Sequence, residues 1–518
     1  MTLQSDAIDA SGSEQINVQS SNAKHALEAG QSTLLYRRLV ADTHTAVSIA
    51  LRLHRPERGD FLLESVEGGE TRGRYSLIGL DPDLLFRAQG KEAGVNYMWQ
   101  HDRDAFTQCD EGPLDALRNL AKSCHMVLPD DLPPAAAFLV GYFGYETVSL
   151  VEAIKRSENA PLDIPDMVFV RPSMLIIVDR LKDEMFLLAS LWKDQQGSIS
   201  KRLDAAQERL DECERMLAQS VELRNQSAEN DIADITITPA IAPEDYRKMV
   251  LKAKDYILAG DIFQVVLAQR FSTPFSLGAM DLYRALRRIN PSPFLFFLDL
   301  PDMALIGSSP EILVRSRDGE VTIRPIAGTR PRGGDDAEDR ANEISLLADP
   351  KECAEHLMLL DLGRNDVGRV AEANSVTVTD SYMVERYSHV MHIVSNVTGK
   401  LAADKDAVDA LMAGFPAGTV SGAPKVRACE IIAELEPEER GAYAGAVGYF
   451  APDGSVDSCI VLRTAVLKGG MMHVQAGAGI VADSNPEYEQ RECEAKSGAL
   501  FAAAREAVAQ ARKGRFGQ

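Results

Sequence analysis

The chain has 518 residues, 45% of them hydrophobic, with 77 acidic side chains against 55 Lys and Arg and a formal net charge of -22. That length predicts two domains or one large composite, and the acidic excess repels phosphate backbones and anionic lipid, arguing against nucleic-acid and membrane partners. Seven cysteines without a Cys-x-x-Cys pair predict neither a disulfide framework nor a zinc site, and place the protein in a reducing, cytoplasmic setting.

Residues 1–30 are rich in Ser, Asn, Gln and Gly, lack the basic-then-apolar order of a leader, and are expected to form a flexible tail. From about Leu34 to Leu191, β-rich runs such as MVFVRPSMLIIVDR and EMFLLASLW alternate with Gly, Pro and Asp turns, so a sheet-rich unit is expected over 31–232. Leu203, Leu210 and Leu217 recur every seven residues within a charged segment and predict an amphipathic helix packed beside that sheet. A polar stretch ending near Pro243 separates a second unit, 240–512. It opens with PEDYRKMVLKAKDYILAG, which has the Pro and acidic start and the Gly end of a helix. DIFQVVLAQRF, ALIGSSPEILVRS, HVMHIVSNVTGKL, AGAVGYFAP, SCIVLRTAVLK and MMHVQAGAGIVA follow as strands. Strands meet through turns as often as through helices, so the expected class is α+β, with large mostly antiparallel sheets and packed helices.

Two Gly-rich segments invite a nucleotide-binding reading. GAGIVA, Gly477 to Ala482, fits G-x-G-x-x-G/A, but Pro486 starts the next helix too late for these glycines to open it. GTVSGAPK, Gly418 to Lys425, lacks the P-loop spacing. Both remain turns whose N–H groups can face an anion. The carboxylates say more. Glu352 and Glu355, and likewise Glu489 and Glu492, lie three apart and share a helix face, and each pair runs into an apolar stretch, HLMLL or GALFAAA. One such pair is ordinarily solvated surface. Two pairs brought together would repel unless a cation intervened, and an all-oxygen set suits Mg²⁺. RPIAGTRPRG, Arg324 to Gly333, reads as an anion-facing loop in which Ala327 stands where a further cation would fit.

Eight segments, in order, carry a resemblance: GDIFQVVLAQRF, GSSPEILVR, RPIAGTRPRG, HLMLLDLGRNDVGRV, SHVMHIVS, FPAGTVSGAPKVRACEII, YAGAVGY and QAGAGIVADSNPEYE. Together they resemble the chorismate-binding enzymes, most closely the anthranilate synthase large-subunit family, from about Pro243 to Ala504 with a weaker extension over 34–190. The resemblance implies the chorismate-utilising fold, with 31–232 regulatory and 240–512 catalytic. It implies a lyase that converts chorismate and ammonia to anthranilate and pyruvate, the first step of tryptophan biosynthesis.

Residue by residue, the resemblance makes Glu355 and Glu492 the Mg²⁺ ligands, with Glu352 and Glu489 behind them. It places the enolpyruvyl carboxylate against Tyr443, Arg463 and the backbone of Gly477, Ala478 and Gly479, with Gly328 and Thr329 lining the ring and Lys496 near a carboxylate. Glu311 becomes the acid for the departing C4 hydroxyl, which requires a carboxyl kept protonated by an apolar pocket. His392 is tied to pyruvate elimination. Relatives that attack with a lysine carry it at the position of Ala327, and those that activate water carry one at the position of Gln264. Neither is present, so free ammonia is expected as the nucleophile. LLESVEGGETRGRYS, Leu62 to Ser76, and NPSPFLFF, Asn290 to Phe297, resemble two halves of a feedback site for L-tryptophan, with Ser65, Pro291, Ser292 and Pro293 at ligand positions. No cysteine sits in a Gly-flanked elbow, so a separate glutamine amidotransferase small subunit is implied, in a complex of two large and two small subunits. The rival readings are an aminodeoxychorismate synthase and a non-catalytic tryptophan-binding regulator; Ala327 and the LLES segment oppose the first, and the intact Glu311, Glu355, His392 and Glu492 oppose the second.

Overall fold

The strand Met167–Asp179 is buried at every residue, the pattern of a strand covered on both faces. The computed structural model describes residues 18–65, 73–220, 234–387 and 390–512, and this strand is where two pairing paths divide. Its first half pairs with Leu139–Phe143 and its second half with Glu184–Leu191, while Tyr75–Gln89 follows its full length with a register shift next to the Pro82–Pro172 pair. Proline cannot donate to a ladder, so the shift falls where pairing is weakest.

One path runs from Thr33–Val40 through Glu184–Leu191, Met167–Asp179, Tyr75–Gln89 and Asp60–Glu64, each antiparallel to the next. It crosses into the carboxy-terminal half at Phe294–Leu300, then passes through Met303–Ser309, Thr464–Lys468 and Met471–Ile480 to Gln264–Pro274. The second path goes from Leu139–Phe143 through Ala446–Phe450 and Val456–Ile460 to Ile312–Arg317, and onward to Val390–Lys400. The expected α+β class with large antiparallel sheets is thus what is observed. Phe61, Phe169, Phe296, Leu305 and Phe501 belong to one contiguous apolar core that draws on both halves of the chain.

Helices cover the sheets. Ile199–Leu217 buries Ala206, Leu210, Cys213 and Leu217 and lies against Glu184–Leu191. Pro350–Gly368 packs on Ile326–Pro331 and Val390–Lys400, and Pro486–Arg512 packs on Ala279–Ile289 and Met471–Ile480. These two helices carry the acidic pairs.

Three expectations are corrected. Residues 18–28 are helical and bury Ala23 and Leu27, an i, i+4 apolar pair, so the second half of the expected tail is docked; residues 1–17 lie outside the described residues. ALIGSSPEILVRS breaks at Pro310 into Met303–Ser309 and Ile312–Arg317, because proline cannot continue the ladder. Arg463 is not on a strand: at φ 47° it cannot keep an extended backbone, and it forms a bend before Thr464–Lys468.

Two glycines are required by close approach. Gly79 pairs with Phe61 and Gly307 with Phe296, and a Cβ at either would fall about 2 Å from the opposing ring. Both rings are almost wholly buried and have no room to yield. Gly307→Ala is therefore expected to destabilise the protein by about 1–3 kcal/mol through overpacking, read as a lower urea midpoint at unchanged m-value. An unchanged midpoint would refute this packing account.

Candidate active site

The break at Pro310 has a chemical result. It leaves Glu311 in the gap between two strands, where its backbone carbonyl accepts from Ile460 N at 3.0 Å and Ser309 Oγ donates to Ile460 O at 2.6 Å. The side chain turns inward, 8% exposed, and accepts one hydrogen bond, from Thr419 Oγ1 at 3.1 Å. Burial pushes its carboxyl up to about 8, the Thr419 donor opposing the rise. A carboxyl in this state holds its proton at neutral pH and can give it to a leaving group.

RPIAGTRPRG forms no anion-gripping loop. Ile326–Pro331 is a strand paired with Val390–Lys400, Ala327 facing Ile393 and Thr329 facing His392, with a register shift at Gly328. Gly328 has φ 72°, a conformation that favours glycine. The three arginines are occupied by carboxylates: Arg324 by Glu385 at 2.5 Å, Arg330 by Asp349 at 2.7 Å and Arg332 by Asp339 at 2.8 Å. Ala327 is buried, so this strand offers no amine at that position. His392 Nδ1 lies 3.0 Å from Gly328 O and 3.1 Å from Thr329 Oγ1. A carbonyl only accepts, so Nδ1 carries the hydrogen and the neutral ring keeps its lone pair on Nε2. Burial holds the imidazole below its ordinary range, nearby Arg463 acting in the same direction against the Gly328 bond. The ring of Tyr387 packs on it edge-on at 5.5 Å.

Opposite lies Met471–Ile480. Ala268 N donates to Glu436 and Val266 N to Ser421 O, so their partners Gly477 and Gly479 do not share ladder bonds with them. By antiparallel alternation the N–H groups of Gly477 and Gly479 turn away from Gln264–Pro274, whereas Ala478 faces Leu267 within the ladder. Of the three backbone positions matched to the carboxylate, Gly477 and Gly479 have N–H groups that leave this ladder and Ala478 lies within it. Pairing with Thr464–Lys468 ends at Val474, which leaves this edge open beyond it. A Cβ on Gly477 would lie 2.8 Å from the Tyr443 hydroxyl oxygen, and one on Gly479 2.5 Å from Gln264 Nε2, so both side chains crowd the same strand. Lys496 Nζ donates to Gly477 O at 2.9 Å and pairs with Glu492 at 2.7 Å. Gln264 is 4% exposed, and its Oε1 has no hydrogen-bond partner among the described residues.

The acidic pairs converge. Burial raises the Glu355 carboxyl, and Glu352 on its own helix and Glu492 on the other add to the rise. Glu489, also raised by burial, feels Glu492 in addition, with Lys496 and Lys351 opposing. Glu352 reaches Arg330 at 3.4 Å and borders Gly328. No group of three or more His, Cys, Asp or Glu is arranged to enclose a metal among the described residues. The carboxylates at the two helices offer only oxygen donors, the ligand type of a hard cation.

The segments matched to a feedback site are brought together by Asp60–Glu64 pairing with Phe294–Leu300, Glu64 opposite Leu295. Ser65 thus follows the last pair of this ladder at the end from which Phe294 leads back to Pro293, and Arg180 donates to the Ser65 carbonyl at 3.1 Å. Glu64 is buried and takes Tyr283 at 2.6 Å and Arg287 at 2.7 Å. Ser308 Oγ donates to Asn290 O, and Ser308 N donates to the carbonyl of Arg463 at 3.2 Å. Residues 66–72 of the first segment lie outside the described residues.

Thr419, the side-chain donor to Glu311 among the described residues, gives no sign of this in the sequence, where GTVSGAPK stands out for its glycines. Nor does the sequence signal Tyr387 beside His392.

Comparison with known proteins identifies the family. A family described as chorismate binding enzyme matches residues 59–502. Anthranilate synthase component 1 of Cereibacter sphaeroides is 50% identical over 490 residues, covering 94% of this chain and 97% of that protein. The counterpart from Pseudomonas putida is 45% identical over 90% of this chain and 93% of its own length. The crystal structure of anthranilate synthase component I from Streptococcus pneumoniae superposes with a TM-score of 0.72 at 35% identity, covering 90% of this chain and 99% of that one. The menaquinone-specific isochorismate synthase of Escherichia coli shares the fold, with a TM-score of 0.68 at 19% identity over 94% of this chain and 99% of that one. The chain belongs to the chorismate-binding enzymes, among the anthranilate synthase component 1 proteins.

Proposed function

We propose that the chain aminates chorismate at ring C2 with ammonia, releasing water from C4, and then eliminates pyruvate to leave anthranilate. The observation that carries this reading is Glu311, a buried carboxyl whose proton is retained up to about pH 8. It gives that proton to the departing C4 hydroxyl. Ammonia is the nucleophile because Ala327 supplies no amine, and the unpartnered buried Oε1 of Gln264 can accept an N–H as ammonia approaches. Arg463, Tyr443 and the outward N–H groups of Gly477 and Gly479 hold the enolpyruvyl carboxylate, with Lys496 beside them. His392, with its Nε2 lone pair, serves the loss of the C2 proton that accompanies pyruvate elimination; aromatisation drives that step.

Glu355 and Glu492 would hold Mg²⁺, with Glu352 and Glu489 behind them, and the ion would supply positive charge to the ring carboxylate of chorismate. Burial, and after it the charges of Glu352 and Glu492, raise Glu355, and a bound cation would offset both, which supports this assignment. The ammonia comes from a separate glutamine amidotransferase. Burial pushes the thiols of Cys124 and Cys493 up to about 11 and Cys213 up to about 12, the reverse of what a glutaminase thiolate needs. L-Tryptophan, bound between Ser65 and the Pro291–Pro293 turn, inhibits the enzyme by favouring a state poor at holding chorismate. All seven cysteines are unpaired, which suits a reducing cytoplasm. No helix among the described residues is long and apolar enough to cross a membrane.

The purified chain supplied with chorismate, Mg²⁺ and an ammonium salt is expected to develop anthranilate fluorescence, to release an equal amount of pyruvate, and to slow on addition of tryptophan. An aminated but unaromatised product with no pyruvate would mark an aminodeoxychorismate synthase instead, and an inert chain would leave only the regulator. Because the acid works protonated, kcat should hold to about pH 8 and fall above it. Thr419→Val removes the donor that favours the carboxylate, so it should move this alkaline limb upward. The same raised value makes Glu311 favour the folded state at low pH, a contribution lost as pH rises through about 8. Glu311→Gln should therefore abolish turnover yet be more stable than wild type at pH 9, a result read by thermal melting. Glu355→Gln and Glu492→Gln should each lower turnover by on the order of 100-fold or more and raise the Mg²⁺ needed for half-activation, with near-unchanged melting. Normal Mg²⁺ dependence in both variants would remove the ion from these residues.

A further inference from the structure

Arg440 lines none of the positions assigned to substrate, yet it touches three elements that carry them. It is 1% exposed, and its guanidinium donates four hydrogen bonds. Nε and Nη2 form a fork on Glu436 at 2.8 and 2.6 Å, Nη2 also donates to Val266 O at 2.7 Å, and Nη1 donates to Val420 O at 2.7 Å. The guanidinium lies 4.6 Å from the ring centre of Tyr145 and 5.5 Å from that of Tyr443. Val420 follows Thr419, the donor to Glu311. Val266 is the register partner of Gly479 and lies two residues from Gln264. Glu436 Oε1 also accepts Ala268 N at 2.8 Å, opposite Gly477.

The amino-terminal half closes the arrangement from the other side. Glu146, on the short 3-10 turn Tyr145–Leu150, accepts Arg440 N at 2.8 Å and Gly441 N at 3.0 Å, and Tyr145 N donates to Gly441 O at 2.8 Å. Four buried contacts from distant parts of the chain therefore meet on one arginine, three residues before Tyr443. Stability alone is a poor reason for such a site, since apolar replacement of a buried ion pair is often neutral or stabilising. A planar fork has a geometric merit that a lysine lacks: it sets two carbonyls at a fixed angle to each other and to an aromatic face.

We propose that Arg440 is a positioning residue for the reaction, held by Glu436 and Glu146, which fixes the Val420 and Val266 carbonyls and so aligns Thr419, the Gly477–Gly479 edge and Tyr443 around the substrate. This rests on the site reading given under Proposed function. Arg440 acts on the acid through Thr419. The other charged groups around the small cavity at Glu311 are Arg324 and Asp366, each committed elsewhere, to Glu385 and Lys425.

The test uses the full-length chain with ammonia. Arg440→Lys keeps the charge but can reach only one of the two carbonyls. It should raise KM for chorismate and lower kcat/KM by on the order of 10- to 100-fold, and it should shift the alkaline limb of kcat upward, as Thr419→Val does. A folded Arg440→Lys protein with wild-type KM and an unmoved limb overturns the proposal, as does a loss that vanishes once activity is normalised to folded protein. Should Arg440→Lys fail to fold, Glu146→Gln decides: it leaves the guanidinium in place but sets an amide against a backbone N–H. It is expected to raise KM for chorismate, measured on the folded fraction at a temperature below its own midpoint, and an unchanged KM refutes the assignment. Turnover by wild type with indifferent variants overturns this inference alone; an inert wild-type chain overturns it together with the functional reading.

Discussion

The pairing of Asp60–Glu64 with Phe294–Leu300 is the constraint on which the molecule depends. Phe294–Leu300 has Met303–Ser309 on its other side, and that strand leads directly to Glu311. Without its amino-terminal neighbour it would present an open edge of unpaired amides beside the chemistry, a poor arrangement for a rigid site and a template for aggregation. The two halves thus complete each other's sheets and share one apolar core. The pocket at Glu311 is lined by the carboxy-terminal half alone, and the amino-terminal half closes the edge of the sheet that leads to it.

Charge management follows the same logic. The chain is strongly acidic, yet the cations near the site are largely committed to carboxylates, among them Arg324, Arg330, Arg332 and Lys496. Attraction for an anionic substrate therefore cannot come from a pool of loose positive charge. On the proposed reading it comes from Arg463, from oriented backbone donors at the strand edge and from a cation that the crowded glutamates would hold, sources that discriminate by geometry more than by net charge. The same economy explains why an alanine suits position 327, where a buried amine would alter the nucleophile.

Much of this was legible in the sequence because it is local. The acidic pairs follow from helical spacing, and their helices form where the Pro and Gly signals place them. The antiparallel class follows from strands joined by turns. What was not legible depends on tertiary placement. Pro310 in a β-rich run marks a break only once Ile460 is seen to hold Glu311 across it. Arg463 looked like a strand residue because its neighbours are β-formers, and its positive φ is imposed by the bend. The arginines of RPIAGTRPRG resembled an anion cradle because their carboxylate partners lie some 7 to 60 residues away in sequence. Arg440 gave no signal, since a single arginine after three glutamates in LEPEER reads as surface.

The bond from Ser308 to Arg463 has a mechanical consequence. Ser308 grips the Asn290 carbonyl with its hydroxyl and the Arg463 carbonyl with its amide, so one residue joins the proline segment after Asn290 to the bend at Arg463. An arginine in the left-handed region has few neighbouring conformations to slide into. A tug on the turn should therefore be felt at the bend as an abrupt swing and not a graded yielding, and by reciprocity a ligand seated at the bend must stiffen the turn.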